Sequence, residues 1–279
     1  MSDGLVEKFR QGIKKLGYSD EEIQRMEQKV SNDLKHPVKF IGIGQTGVGK
    51  TELLRSIFAI GSDNIEDLRR LKTSATKSET KEFFSFQIKS KKGFIAEFTD
   101  GPGLGESRDL EDKYLKMWCE EIPKHDLLYW VLDGSNRDIS HIQENMKYIL
   151  DRTGYRNKIV VVLNKADQIR LDIEQEAEGM IGWDYNYNVP SDELEKLIKE
   201  RTNDVIEKLS EDVDISREQM VICSARQRWN HDAVLDKLLA LLPPEKRIKA
   251  SDNRDPKSAA DLMSPSAKKE IFSDWKGSN

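Results

Sequence analysis

Gly44-Gln45-Thr46-Gly47-Val48-Gly49-Lys50-Thr51 has the residue types and spacing of a phosphate cradle, G-x-x-x-x-G-K-[ST]. In such a loop the glycines let successive backbone N–H groups close around the phosphates of a nucleotide. Its flanks suit that use. Val38 to Ile43 reads as a buried strand leading in, and Glu52 to Phe58 as a helix leading out, so strand, loop and helix N-terminus together form an anion site. Gly42, Gly44 and Gly47 also spell G-x-G-x-x-G, the fingerprint of dinucleotide folds. That fold wants an acidic residue closing a second strand about 20 residues on. The stretch around Asp63 to Asp67 is polar and has no strand pattern, and the Lys50-Thr51 ending favours the mononucleotide cradle.

Three further groups fall at predicted strand ends. Asp100-Gly101-Pro102-Gly103 follows a strand, where a carboxylate can hold Mg²⁺ through water while the Gly103 N–H reaches a γ-phosphate. Asn164-Lys165-Ala166-Asp167 ends the longest apolar strand, and the Asp167 carboxylate can accept both the N1–H and the 2-amino donors of guanine, a pair adenine lacks. Ser224-Ala225 follows the last strand and can present a backbone N–H to the guanine O6. Read with the cradle, these groups in this order point to GTP.

The elements that must carry these loops alternate strand and helix, as in an α/β domain. Leu5, Phe9, Ile13 and Leu16 have helical spacing, and Ser19 with Glu22 is a capping-box signature for a second helix carrying Ile23, Met26 and Val30. This pair either covers the domain or offers a partner surface. Gly61 to Thr80 is polar and reads as a mobile loop with a short turn near Ile65 to Leu71. Lys81 to Ser90 and Ile95 to Phe98 read as a hairpin, 109–121 as a helix stopped by Pro123, and Asp126 to Leu132 as a strand covered on both faces. A helix over 139–151, the strand Lys158 to Leu163, and a long connection from Gln168 to Pro190 come next. That connection is acidic, then aromatic at Trp183, Tyr185 and Tyr187, and its length marks it as functional or mobile. Ser191 caps a helix reaching Leu209, Met220 to Cys223 is the last strand, and Asp232 to Leu242 the last helix, halted by Pro243-Pro244. The end of the chain mixes Ser, Pro, Lys and Asp and reads as flexible, with Ile271, Phe272 and Trp275 either docked or solvated.

The 279 residues suit one large α/β domain with appendages: a helical pair over 1–35, the nucleotide domain over 36–245, and a tail over 246–279. No apolar run nears the roughly 18 residues of a membrane span, and Met1-Ser2-Asp3-Gly4 lacks the plan of a secretory signal. Two cysteines, Cys119 and Cys223, read as small core residues in a reducing, cytoplasmic protein. The net charge of -5 disfavours a broad nucleic-acid or ribosome-binding surface, though it leaves room for a local basic patch.

On these motifs the chain resembles translation-factor-type small GTPases, and within them the Era-like bacterial GTPases related to the immunity-related GTPases. The residues that carry the likeness are Gly44 to Thr51, Thr80-Lys81-Glu82, Asp100 to Ser107, Asn164 to Asp167 and Cys223-Ser224-Ala225. The narrower likeness lies in Glu120 to Trp130, Trp183-Asp184 and Pro190-Ser191. The resemblance implies a Ras-like P-loop GTPase domain, an α/β fold whose mostly parallel sheet is flanked by helices and has an antiparallel second strand. It implies that Gln45, Thr46, Gly47, Val48, Gly49, Lys50, Thr51 and Glu52 hold the phosphates of GTP or GDP, with Lys50 on the β- and γ-phosphates. Thr51 and Thr80 would ligate Mg²⁺, with Asp100 holding it through water; Thr76-Lys77 is a near copy of the Thr80 site. Gly103 would sense the γ-phosphate, Asn164 and Lys165 would support the base pocket, and Asp167 would select guanine. Lys50, Thr51, Thr80 and Gly103 would thus be the catalytic set.

Two departures from the family's pattern bear on rate. Leu104 stands where Ras-like enzymes have a water-orienting glutamine, and Gly47 where potassium-stimulated relatives have asparagine. Slow intrinsic hydrolysis is expected, raised by a protein partner or by dimerisation; a supplied arginine or cation contributes about 10³ to 10⁵ in rate. The expected role is a GTP-hydrolysing switch whose loops at 62–80 and 101–109 order around GTP and act on a protein effector. A nucleotide-driven self-assembly module of the dynamin or immunity-GTPase kind is the alternative, and a ribosome-associated factor a third.

Overall fold

Ile159-Val160-Val161-Val162-Leu163 is apolar at every position, which a strand tolerates only when both faces of its sheet are covered. The computed structural model, which describes residues 19–25, 37–58, 83–89, 95–105, 108–171 and 182–242, buries all of β5 (Ile159–Asn164). Around it are β1 (Val38–Ile43), β2 (Phe84–Lys89), β3 (Ile95–Asp100), β4 (Leu127–Asp133) and β8 (Met220–Ile222). The six strands run in the order β2-β3-β1-β4-β5-β8. Every pairing is parallel except β2 with β3.

Helices α1 (Lys50–Phe58), α2 (Arg108–Glu121), α3 (Ser140–Thr153), α4 (Asp192–Val213) and α5 (His231–Ala240) cover the two faces. Alternation along the strands sorts their side chains. Ile41, Leu128, Trp130, Val161 and Leu163 meet Trp118 of α2, Met146 and Leu150 of α3, and Val205 and Leu209 of α4. Phe40, Val131, Val160 and Val162 meet Leu53, Leu54 and Ile57 of α1 and Val234 and Leu238 of α5. Each such side chain contributes about 1.5–3 kcal/mol on full burial. Because β1 neighbours β3 on one side and β4 on the other, the chain reverses its winding there, and a crevice opens beyond the carboxyl ends of these strands.

Several boundaries differ from expectation. The helix expected to end at Leu209 continues to Val213, because Val205, Leu209 and Val213 keep one stripe buried; Asp214 then ends it in a left-handed conformation. The last strand stops at Ile222, one residue short. Within the connection read as functional or mobile, Trp183–Asp184 (β6) pairs antiparallel with Val189–Pro190 (β7), and Trp183 is buried with Ala166, Leu194 and Ile198. That local apolar cluster is what the aromatic composition concealed. Other local signals hold. Ser191 Oγ accepts the Leu194 N–H at 3.1 Å, and the Ser19 N–H donates to Glu22 Oε2 at 2.9 Å while the Glu22 N–H donates to Ser19 Oγ at 3.3 Å. Both cysteines are free, Cys223 buried and Cys119 half-buried. The helix expected over Leu5 to Leu16, the loop with Thr76 and Thr80, and the tail over 246–279 lie outside the described residues. Among the described residues no helix is long and apolar enough to cross a membrane.

One buried contact between α1 and α5 predicts a pH response. Ser56 Oγ donates its single proton to the Leu53 carbonyl at 2.9 Å, so His231 Nε2, 3.3 Å from that oxygen, must be the protonated nitrogen. Burial holds the His231 imidazole down at about 4, against a backbone contact with Ser224 that favours the charged form. The folded value lies below the unfolded one of about 6.5. Stability is therefore fully present above pH 6.5 and falls as pH drops from about 6.5 to about 4, by about 3 kcal/mol in all. Urea unfolding across that window should show the decline, and His231→Gln should remove most of it; an unchanged slope in that variant would place the acid sensitivity elsewhere.

Candidate functional site

The loops that end β1, β3, β5 and β8 meet at the crevice. Gly49 is required twice over: its φ is 91°, and a Cβ there would lie 2.4 Å from Asn164 Nδ2. Thr46 and Gly47 are exposed at the rim of the cradle, while Val48 is buried beneath it. Lys50 begins α1 and is only 9% exposed; its ammonium donates to the Gly44 carbonyl at 3.1 Å and the Gln45 carbonyl at 3.3 Å. These contacts hold the cation at the centre of the cradle, beside the N–H groups of the first turn of α1.

Thr51 is the next residue on α1, and its hydroxyl donates to Asp100 Oδ2 at 3.2 Å. Asp100 Oδ1 accepts the Gly101 N–H at 3.0 Å. Burial pushes the Asp100 carboxyl above the usual carboxylate range, and the nearby Lys50 charge opposes this. A hydroxyl and a carboxylate at hydrogen-bond distance supply the oxygen donors that a hard divalent cation such as Mg²⁺ selects. The Asp100-Gly101-Pro102-Gly103 loop is seated firmly: Trp118 Nε1 donates to the Pro102 carbonyl at 3.2 Å, and Phe83 stands edge-on to Trp118 at 4.8 Å, over Gly101. Gly103 is buried in this loop. Leu104 follows with its N–H on the Gly44 carbonyl at 3.3 Å and its side chain in the core beside Ile41 and Ile43. That position therefore presents no side chain to the crevice.

On the other side, Asn164 ties three loops together. Its Nδ2 donates to the Val48 carbonyl at 2.9 Å, and its Oδ1 accepts the Ala225 N–H at 2.9 Å. Both N–H groups of Ser224-Ala225 are thus engaged, that of Ala225 by Asn164 and that of Ser224 by the Trp229 carbonyl, and a base oxygen would share one of them. Asp167 Oδ1 accepts the hydroxyl of fully buried Ser224 at 2.5 Å, and Ser224 in turn exchanges backbone hydrogen bonds with Trp229 at 3.1 and 3.0 Å. Asp167 keeps partial exposure beside a cavity of about 770 Å³ bordered by Trp183, Tyr185 and Arg226.

Residues outside the motifs complete the site. Lys165 is left-handed (φ 65°), and its ammonium reaches Asp133 Oδ2 at 2.6 Å. Burial acts to raise the Asp133 carboxyl, but hydrogen bonds from Lys165 and Ser135 hold it below the usual range. Arg201 of α4 is buried and donates to the Gly134 carbonyl at 3.1 Å and to the Asn136 carbonyl, fixing the loop after β4. Asp133 was findable as an acid at a strand end; Arg201 carried no local signal. Gln45 to Glu52 span the loop after β1 and the first turn of α1, whereas Thr80 lies outside the described residues.

Residues 39–165 match the family described as 50S ribosome-binding GTPase. The uncharacterized protein YkfA of Escherichia coli (strain K12) is 28% identical over 146 residues, covering 52% of this chain and 47% of that protein. The tRNA modification GTPase MnmE of Geobacter metallireducens is 28% identical over 149 residues, covering 53% of this chain and 30% of that protein. The alignments thus span about half or less of these curated relatives. Among solved structures, the LeoA bacterial dynamin GTPase from ETEC superposes with a TM-score of 0.52 at 14% identity, covering 96% of this chain and 46% of that one. At that identity the likeness speaks for the fold.

Proposed function

We propose that the chain is a P-loop GTPase, which on its Ras-like fold binds GTP, hydrolyses it to GDP and phosphate with Mg²⁺, and acts as a molecular switch. The observation that carries this reading is Asn164, which links the cradle at Val48 to the Ala225 loop, in a constellation that also pins Asp167. The phosphate and base sites are thereby held at one separation, as a single nucleotide requires.

In this reading the N–H groups from Gln45 to Glu52 surround the phosphates, and Lys50 turns from its loop carbonyls to the β- and γ-phosphates. Thr51 and Thr80 would ligate Mg²⁺, and Asp100 would hold it through water. The bound ion supplies charge neutralisation on the phosphate oxygens. Gly103 donates its N–H to the γ-phosphate, and this contact orders the loop that follows. Asn164 and Lys165 frame the base, Asp167 accepts its N1–H and 2-amino groups, and Ser224 and Ala225 complete the pocket.

Because Leu104 is buried, intrinsic hydrolysis is slow, and a partner or a second copy of the chain supplies the missing group. A nucleotide-dependent homodimer and a protein effector are the partners this implies. The segments Glu120 to Trp130 and Trp183-Asp184 support an Era-like placement related to the immunity-related GTPases. The domain boundaries that go with it are a helical pair over 1–35, the GTPase domain over 36–245 and a tail over 246–279, in a cytoplasmic protein. The family description favours ribosome association as a second reading, against which the net charge of -5 weighs.

Nucleotide titration in Mg²⁺ is the direct test. GTP and GDP should bind at least about tenfold more tightly than ATP, as a site built to hydrogen-bond its ligand rejects the analogue that lacks those groups; equal affinities would remove the guanine assignment. Light scattering with GDP and with a non-hydrolysable GTP analogue separates the homodimer from a monomer. Cosedimentation with 50S subunits tests the second reading.

A further inference from the structure

Tyr129 is a buried strand residue on the level of Asp100, and the nucleotide reading leaves it without a task. Strands β3, β1 and β4 lie side by side, and one level across them holds Asp100, Gly42 and Tyr129: Gly42 is the register partner of both. Partners at one level of a parallel sheet send their side chains to the same face, here the face covered by α1. Gly42 contributes no side chain, and the phenol occupies its place. A Cβ at residue 42 would lie 2.2 Å from both Cζ and Oη of Tyr129. The ring therefore crosses β1 in the direction of Asp100.

The hydroxyl at its end is anomalous. Tyr129 is 2% exposed, and among the described residues its Oη has no hydrogen-bond partner. A phenylalanine would keep the ring in place without stranding a polar group, so the hydroxyl calls for a purpose beyond packing. The Asp100 carboxylate is close enough for its charge to act on the phenol. That carboxylate accepts from Gly101 and Thr51, which leaves two of its roughly four lone-pair positions for further donors. Tyrosine is a donor of the right kind on the right side of β1.

We propose that Tyr129 is a positioning residue for Asp100: on nucleotide binding its hydroxyl donates to the carboxylate and fixes the oxygen that faces the Mg²⁺ site. This rests on the guanine nucleotide and Mg²⁺ reading above. Thr51 hydrogen-bonds Asp100 from the side of α1 and Tyr129 does so from the sheet, so the acid is held from two directions. Gly42 is then a specific requirement of the site, since any side chain there would displace the phenol.

The test uses the full chain and Tyr129→Phe, which keeps the ring and its packing. Release of a fluorescent GDP is followed against Mg²⁺ concentration and in EDTA, and the nucleotide-free protein is melted. Loss of a partner of a direct ligand lowers metal affinity by roughly 10- to 100-fold, and Tyr129 stands one shell further out, so the Mg²⁺ concentration that half-maximally slows GDP release should rise by up to about tenfold, with release in EDTA unchanged. The nucleotide-free protein should melt about 2–4 °C higher, because the stranded hydroxyl is gone. Gly42→Ala, which drives the ring from its seat while retaining the hydroxyl, should move the Mg²⁺ requirement in the same direction. A Mg²⁺ requirement in Tyr129→Phe equal to that of the wild type overturns the assignment whatever the melting result. If the wild type itself retains no guanine nucleotide, the functional reading falls, and the assignment with it.

Discussion

Asp167→Asn is expected to weaken GTP binding by roughly 10²- to 10⁴-fold and to improve binding of xanthosine triphosphate. The Asp167 carboxylate is proposed to accept two donors from guanine, and each hydrogen bond to a charged group contributes about 1.5–3 kcal/mol, with about 1.4 kcal/mol per factor of ten. The amide would keep one carbonyl oxygen, which can still accept the Ser224 hydroxyl now 2.5 Å from Oδ1. The pocket should therefore keep its shape, and the thermal midpoint should stay near that of the wild type. What changes is the outer atom, from acceptor to N–H₂ donor. Xanthine carries an oxygen where guanine carries its 2-amino group, so the mismatch with guanine becomes a match. Parallel titrations with the two triphosphates decide it. A loss of GTP affinity smaller than tenfold would show that another group reads the base.

Lys50→Ala should reduce GTP hydrolysis at saturating nucleotide by roughly 10²- to 10³-fold, the usual consequence of removing one preorganised donor from developing charge. The lysine is held for that task before nucleotide arrives. It is 9% exposed, and its ammonium rests on the carbonyls of Gly44 and Gln45, at 3.1 and 3.3 Å. Exchanging these neutral acceptors for anionic phosphate oxygens gains an ion pair at little reorganisation cost. The Gly44 carbonyl keeps the Leu104 N–H at 3.3 Å and Gln45 is partly exposed, so neither carbonyl that the variant leaves behind is stranded, and the fold should survive. Single-turnover phosphate release separates the chemical step from weakened binding. A variant that hydrolyses GTP at the wild-type rate would remove Lys50 from the mechanism.

Much of this site is readable along the chain because its parts are local. The glycine spacing of the cradle, the acid of Asp100-Gly101-Pro102-Gly103 and the order of Asn164-Lys165-Ala166-Asp167 before Ser224-Ala225 all depend on backbone conformations set within a few residues. The uninterrupted apolar runs of β4 and β5 likewise announce a sheet covered on both faces. Local signals reached their limit where burial at a distance decides. The extension of α4 to Val213 depends on the α2, α3 and sheet residues it packs against, and the seating of Trp183 depends on Leu194 and Ile198.

The motifs themselves were thus determined by the sequence alone: the glycine-rich cradle proposed for phosphates, the hydroxyl and acid proposed for a divalent ion, and the carboxylate proposed for guanine. Which atoms those groups already hold was decided only by the tertiary structure. Asn164 bonds to Val48 across 116 residues, Lys165 to Asp133 across 32, and the Leu104 side chain turns into the core. The row of Asp100, Gly42 and Tyr129 exists because β1 was inserted between β3 and β4 in one particular register. Strand order and register are settled by the joint burial of the whole sheet, and no window of neighbouring residues contains that balance.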